Sequence, residues 1–536
     1  MSSTHILDLE FVLKEAEYKA IDAFCAKHKG IESLSDLAAF LKDRFALELT
    51  LDPDIVGGFA VDSSNLPGAA QALCRPKNER ECAVILRSCF KAGIPMTLSG
   101  GKSNLTGSAT PNGGVIISTV RLLTPELEVN SEKRTATVPP GMILEDLRHA
   151  VLEQTENQLM FPVDPTSRAD ACVGGCLACN ASGFTPGETG SIRSWVQSIR
   201  FLLPDGMLMV ADRGNYVSED GRFILDRDGD RREWLLPAYE RPAVKNAGGP
   251  FSAPSGQMDF VDLVIGSEGL FGLVTACTLR LQETPEAHLD IFFSLPTETE
   301  AVRLFQAANE HFKGDLSHLS AFEYFGVHCR KYMDHETRFF QGEDQVGIYI
   351  QEPLSGRDEL DAAEAWLELL TKAELDIDEE AMILLDSLAL RTLFMEARHS
   401  MPANALEVVQ HRGAFTIMTD AVVPTEHFAE FLDYTHNLLV GKKLDYLSFG
   451  HLGDCHLHFT VLPHKEQIDD AVAAYDDIIA KSADLGGVYS GEHGTGKRKR
   501  KDFLRCYGPE AVEQVRRCKA AIDPDFLLNR GNVFEV

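Results

Sequence analysis

The sequence predicts an α+β protein built from two unlike parts, and three observations predict it. Between Ala72 and Leu281, short apolar runs alternate with helical stretches, the pattern of a mixed α/β layer. After Glu283-Thr284-Pro285 the texture changes to short strands set between long helices, a second α+β unit. With 536 residues, 44% of them hydrophobic and 25% charged, the chain is long enough to bury a large core and too apolar to be disordered throughout.

The elements follow in order. Residues 1–54 place apolar side chains at helical spacing (Leu7, Phe11, Leu13, Ala16, then Leu34, Leu37, Phe40, Leu41, Phe45) and predict a helical N-terminal extension. Glu79 to Ala92 reads as a helix ended by Gly93-Ile94-Pro95. The strand Met96-Thr97-Leu98 runs into Ser99-Gly100-Gly101-Lys102-Ser103-Asn104, a second strand spans 114–118, and a helix lies within 141–154. Residues 161–190 have little periodicity and many small residues; loops this long inside a domain are usually functional. A hairpin follows (198–203 and 207–210, turning at Pro204-Asp205-Gly206), then a charged stretch, 212–241, expected to be an exposed insertion. Gly266-Ser267-Glu268-Gly269 leads into a strand over 273–281. The second unit, 286–500, has helices over 298–312 and 359–373, a strand over 415–419 and a His-rich segment at 450–458. Residues 501–536 form a C-terminal helix around 509–522 and a tail ending near Asn529.

Charge narrows the function classes. Lys and Arg number 51 against 81 Asp and Glu, a net charge of −30, which repels phosphate backbones and argues against nucleic acid. The run Lys497-Arg498-Lys499-Arg500-Lys501 stands against this trend and reads as a solvated helix face or as a docking patch for an acidic partner or membrane surface. The N-terminal segment has no cationic start, apolar core or cleavage site, and residues 260–281 are broken by Asp262 and Glu268, so neither a secretory signal nor a membrane span is expected. The twelve cysteines fit reduced thiols in a cytoplasmic protein; Cys172, Cys176 and Cys179 are close in sequence but lack a fourth partner for an iron–sulfur cluster.

Three groups of residues carry chemistry. Glycines after a strand let backbone N–H groups approach an anion, so Ser99, Gly100, Gly101, Lys102, Ser103 and Asn104 suit a pyrophosphate. Pro165, Thr166, Ser167, Gly174, Gly175, Cys179, Asn180, Ser182, Gly183 and Gly190 leave room for a flat, extended ligand. His451, His456, His458 and the pair Glu492-His493 offer imidazoles and a carboxylate, the ligands of divalent transition metals; a hydrogen-bonded polar cluster is the alternative. His456 and His458 share a strand face, and His451 joins them only if Gly453-Asp454 bends the chain. The near P-loop at 491–497 fails, because Arg498 stands where the magnesium-binding hydroxyl belongs.

In this order the segments resemble the flavoprotein dehydrogenases of D-2-hydroxy acids, which include D-lactate dehydrogenase, the glycolate oxidase catalytic subunit and D-2-hydroxyglutarate dehydrogenase. The resemblance spans about residues 55–534 and rests on the Gly loop, Asp164-Pro165-x-Ser167, Gly174-Gly175 to Gly183, Gly266-Ser-Glu-Gly269, Gly450-His451 to His458, and Gly491-Glu492-His493-Gly494. It implies an FAD-binding domain of the vanillyl-alcohol oxidase or PCMH type (55–285) and a cap domain with an antiparallel sheet. It implies non-covalent FAD held by the segments above, by 262–274 including Val274, and by Asn529. It further implies a metal on His451, His458 and Glu492 (Zn²⁺ first, Mn²⁺ or Fe²⁺ as alternatives), His493 as general base and Arg398 as substrate-carboxylate anchor. The implied reaction sends the 2-hydroxyl proton to His493 and a hydride to flavin N5.

Departures from the family pattern refine this. Lys102-Ser103-Asn104 replace a usual Gly-Thr-Ser, with Lys102 set to add charge at the pyrophosphate or to point to solvent. His456 replaces a usual Asn, either as an extra metal ligand or as a residue orienting one; Thr460 replaces another Asn. Met418 stands where the 2-hydroxyglutarate enzymes carry a Lys, which favours a monocarboxylate unless Arg412 compensates. D-lactate is the first expectation, D-2-hydroxyglutarate and glycolate the alternatives, and a catalytically silent flavin-binding subunit the alternative of another class. The expected electron acceptor is a quinone, an electron-transfer flavoprotein or a separate iron–sulfur subunit. The expected location is the cytoplasm or the inner face of a membrane, and a homodimer is allowed.

Overall fold

The computed structural model describes residues 3–227, 229–375 and 381–536; residues 1 and 2 of the N-terminal extension and residue 228 of the insertion lie outside the described residues. Among the described residues the first part holds two larger sheets, beside a three-stranded and a two-stranded one. Of the larger two, one joins Ala72–Cys74, Val115–Ser118 and Met96–Ser99 in parallel, with Leu49–Thr50 antiparallel at its edge. The helix Glu79–Ala92 connects two of its strands and is capped at both ends by its sequence. The Asn78 side chain accepts from the Glu81 amide at 2.9 Å, and Gly93 takes the left-handed conformation (φ 70°) that ends the helix. The other sheet is antiparallel: Leu208–Asp212, Val196–Leu202, Leu273–Arg280, Thr135–Val138, Glu128–Asn130.

A seven-stranded antiparallel sheet makes the second part, in the order Met382–Leu384, His288–Leu295, Val346–Pro353, Ala321–Phe325, Tyr446–His451, His456–Val461, Ile417–Met418. Its register places Glu323 opposite His451, and His451 opposite His456. A 3₁₀ turn at Leu452–Asp454, with Cys455 left-handed, supplies the bend that brings His451 to the other histidines.

Three expectations change. The N-terminal extension is not helical throughout: Ile6–Asp8 is a strand parallel to Arg222–Arg227, because Leu7 is apolar enough to bury fully on that sheet. The 212–241 insertion is anchored rather than merely exposed. Its hairpin buries Trp234 edge-on against Phe260 and Phe271, and the indole N–H donates to the Cys518 carbonyl at 2.9 Å. The basic run is only partly interior: Lys499 is buried, Lys497 and Arg500 are half-buried, and Arg498 and Lys501 are exposed. Lys499 reaches Asp420 at 2.6 Å, Lys497 donates to the Gly107 and Thr110 carbonyls, Arg498 to the Ser64 carbonyl, and Lys501 pairs with Asp476. Each of these four cations finds acceptors on another segment, so the run is tied down, with Arg498 and Lys501 still facing solvent. Burial lowers the Lys497 ammonium to about 8.

Candidate functional site

A groove of about 470 Å³ opens between the two parts. It is lined by Ser99, Gly100, Gly101, Lys102, Ser103 and Asn104, by Pro165, Thr166, Ser167, Gly174, Gly175, Cys179, Ser182 and Gly183, by Val274 and Asn529, and by His451, Glu492 and His493. Asn180 and Gly190 do not line it. Asn180 caps a helix and accepts from the Arg193 amide, and a Cβ on Gly190 would lie 1.9 Å from the Thr185 carbonyl.

The groove suits a flat dinucleotide because its glycines act in two ways. A Cβ on Gly101 would lie 1.9 Å from the Asp170 carbonyl, so that glycine lets two backbone segments touch. A Cβ on Gly175 would meet nothing within 4 Å, so its missing side chain leaves open space that a ligand fills. Lys102 serves neither anticipated role: its ammonium donates to the Gly58 carbonyl at 2.9 Å and lies over the Phe59 ring. Left-handed Lys102, Glu268 and Asn529 concentrate backbone strain at this groove. Asn529 ties the tail in place, accepting from the Leu98 amide and donating to the Glu268 carbonyl, both at 2.8 Å. The buried Glu268 carboxylate accepts from Ser108 and from the Thr495 and Gly496 amides, joining the flavin-side loop to the segment after His493.

Around His451, Glu492 and His493 the side chains are ionisable and each has an assigned partner. His451 turns Nδ1 to Glu323 (2.6 Å) and Nε2 to Glu492 (3.3 Å). His458 donates Nδ1–H to the Thr419 carbonyl (3.1 Å) and turns Nε2 to Glu492 (3.2 Å). His456 donates through Nε2 to Asp420 (2.8 Å). His493 places Nδ1 3.3 Å from Asp420 and Nε2 3.4 Å from Glu492. One donor atom each from His451, His456, His458 and Glu492 lie within 4.8 Å of one another. The donor set fits a divalent metal: the far nitrogens of His451 and His458 are fixed by a carboxylate and a carbonyl, leaving the near ones to face the Glu492 carboxylate.

Burial alone would lower the His451 imidazolium, but the Glu323 and Glu492 carboxylates together raise it to about 9. Burial holds His456 neutral, down at about 3. Burial would raise Glu323, yet His451 and Arg398 bring it to about 2.

Arg398 does not reach the groove directly. Its guanidinium pairs with Glu323 at 2.6 Å and stacks 4.2 Å over the Phe184 ring, which does line the groove. Four residues of the site escaped the sequence reading as participants. Glu323 and Asp420 are single carboxylates delivered by sheet pairing. Lys499 was hidden within a run that looks solvated. Lys245, buried between Asp454 (3.4 Å) and Glu492 (3.6 Å), has no sequence signal at all.

Comparison with known proteins agrees with this geometry. A family model for an FAD binding domain matches residues 70–212, and one for the C-terminal domain of FAD linked oxidases matches residues 293–533. The structure of p-cresol methylhydroxylase with substrate bound superposes with a TM-score of 0.66 at 13% identity, covering 98% of each chain. The fold is therefore that of the vanillyl-alcohol oxidase and PCMH type of FAD protein. A D-lactate dehydrogenase of Anaerostipes hadrus is 25% identical, over 89% of this chain and 92% of its own. A D-2-hydroxyglutarate dehydrogenase of Xanthomonas citri pv. viticola is 26% identical, over 87% and 89%. The chain thus carries an FAD binding domain followed by an FAD linked oxidase C-terminal domain. Among the described residues no helix is long and apolar enough to cross a membrane.

Proposed function

We propose that this chain is an FAD-dependent dehydrogenase that oxidises a D-2-hydroxy acid, D-lactate first, to the 2-oxo acid. One observation carries the reading: a single groove is lined both by glycine-rich segments and by His451, Glu492 and His493, so a flat cofactor and a hydroxy acid would share one cavity. Non-covalent FAD would lie along 99–104, 165–183, Val274 and Asn529, and a divalent metal, zinc first, on His451, His458 and Glu492. When bound, the two groups supply a two-electron acceptor and a Lewis acid for the hydroxyl. His493 takes the hydroxyl proton at Nε2, because Asp420 engages Nδ1 and stabilises the imidazolium that forms. Arg398 lies outside the groove, so its part is to hold Glu323, and through it His451, rather than to bind the substrate carboxylate.

A monocarboxylate is favoured over 2-hydroxyglutarate. Met418 carries no charge, and Arg412 is engaged by the Leu462 carbonyl and by Asp445 at 2.8 Å, so it does not compensate. Electrons leave for a quinone, an electron-transfer flavoprotein or a separate iron–sulfur subunit, and we place the protein in the cytoplasm or on the inner face of a membrane.

The test is anaerobic bleaching of the flavin band by D-lactate, L-lactate, glycolate, D-2-hydroxyglutarate and D-malate. Fastest bleaching by D-lactate and none by L-lactate is expected. A yellow, metal-loaded protein bleached by none of them would instead be a silent subunit.

A further inference from the structure

We propose that His456 is a fourth protein ligand of the metal, giving a donor set of three imidazoles and one carboxylate. The inference rests on the reading of this cluster as a divalent-metal site and adds a residue to it.

His456 is fully buried, and its two nitrogens are unlike. Nε2 lies 2.8 Å from Asp420, while Nδ1 is buried with no hydrogen-bond partner among the described residues. Asp420 also accepts from the Lys499 ammonium at 2.6 Å and the Ser490 hydroxyl at 2.6 Å, and from the Glu492 and His493 amides. A carboxylate so surrounded by donors is an acceptor only, so the shared hydrogen belongs to Nε2 and Nδ1 carries a bare lone pair. Buried acceptors are normally satisfied. A histidine kept only for packing would have both nitrogens bonded.

The neighbourhood supplies the missing partner. His456 and His451 face each other at the end of the hairpin, with ring centroids 5.4 Å apart, and His458 lies 4.7 Å from His456. With Glu492, these residues bring one donor atom apiece to within 4.8 Å of one another. All three imidazoles then share one logic: one nitrogen is fixed by Glu323, the Thr419 carbonyl or Asp420, and the other is left for an ion. Three imidazoles select a transition metal over Ca²⁺ or Mg²⁺. Four protein donors fill a tetrahedron, so the ion must accept a fifth ligand to receive a hydroxyl from substrate, as Fe²⁺, Mn²⁺, Co²⁺ or an expanded Zn²⁺ does.

The test uses the FAD-loaded full chain stripped of metal and titrated with Co²⁺. His456→Asn, whose amide still donates to Asp420, is expected to retain the flavin band, to bind Co²⁺ at least about tenfold more weakly, and to show an altered Co²⁺ visible spectrum. Unchanged affinity and spectrum in a flavin-retaining variant would overturn the proposal. If His456→Asn loses its flavin, pulsed EPR of the Cu²⁺-loaded wild type decides, since it counts coordinated imidazoles: three support the proposal and two overturn it. Failure of the underlying reading looks different, because then wild type and His458→Asn alike take up no Co²⁺.

Discussion

The glycine groove and the histidine–glutamate cluster that lines part of it are built on opposite principles. The groove recognises through what is missing: Gly175 leaves room, Gly101 lets backbones touch, and its one cation, Lys102, is turned away toward Gly58 and Phe59. The cluster recognises through what is present, with every carboxylate and imidazole fixed by a named partner. A substitution in the groove therefore acts by volume, and one in the cluster acts by unbalancing charge.

Chelation offers the largest contrast. Removing the metal is expected to stop turnover while the protein stays yellow, since the residues proposed to hold FAD are not those proposed to hold the metal; full activity in metal-free enzyme would abolish the distinction. Next, His493→Ala is expected to slow flavin reduction by about 10²–10⁴-fold with FAD and metal retained. Stopped-flow reduction within tenfold of wild type would remove His493 as base.

Lys499→Met tests the charge principle on stability. Asp420 then keeps a buried charge without its cation, and urea unfolding is expected to show a loss of about 3–5 kcal/mol. A loss below 1 kcal/mol, the order of an exposed pair, would make Lys499 dispensable.

The volume principle has its own paired test. Gly101→Ala is expected to cost about 1–3 kcal/mol of fold stability, because its Cβ meets the Asp170 carbonyl. Gly175→Val is expected to leave apoprotein stability within about 0.5 kcal/mol yet abolish flavin binding, because its side chain meets only the ligand's space. Equal thermal shifts in the two apoproteins would break this half of the comparison.

The smallest effect is expected away from both regions. Burial would raise the Glu79 carboxyl, but Arg200 and Thr275 outweigh it and hold it below its ordinary 4.5. Its contribution is present above pH 4.5 and is lost as pH falls through the depressed folded value. Glu79→Gln should therefore cost about 0.5–1 kcal/mol at pH 6 and less at pH 3; an equal cost at both would show that the carboxylate charge is not the cause.

The two regions also differ in how far the sequence reveals them. The groove is legible because glycines and small residues are contiguous, from Ser99 to Asn104 and from Gly174 to Gly183. The histidines are legible because a hairpin needs only seven residues to bring His451 beside His458. Glu323 is not, because it meets His451 across 128 residues through strand pairing. Lys499 and Asp420 meet across 79 residues, and a run of five cations looks solvated until its acceptors on other segments are known. Asn180 and Gly190 were drawn into the groove by their neighbours in sequence, although their own geometry serves the loop.

The tail has a consequence for the order of assembly. Met96 donates to the Leu527 carbonyl and Asn529 donates back to Met96, each at 2.7 Å, so the strand that opens the glycine loop is completed by residues more than 400 positions later. During synthesis the glycine-rich segments of the groove emerge early, but its lining is incomplete until Asn529 has left the ribosome. The cofactor's full site is thus among the last things the chain makes, and flavin capture reports that the whole length, not just its N-terminal half, has folded.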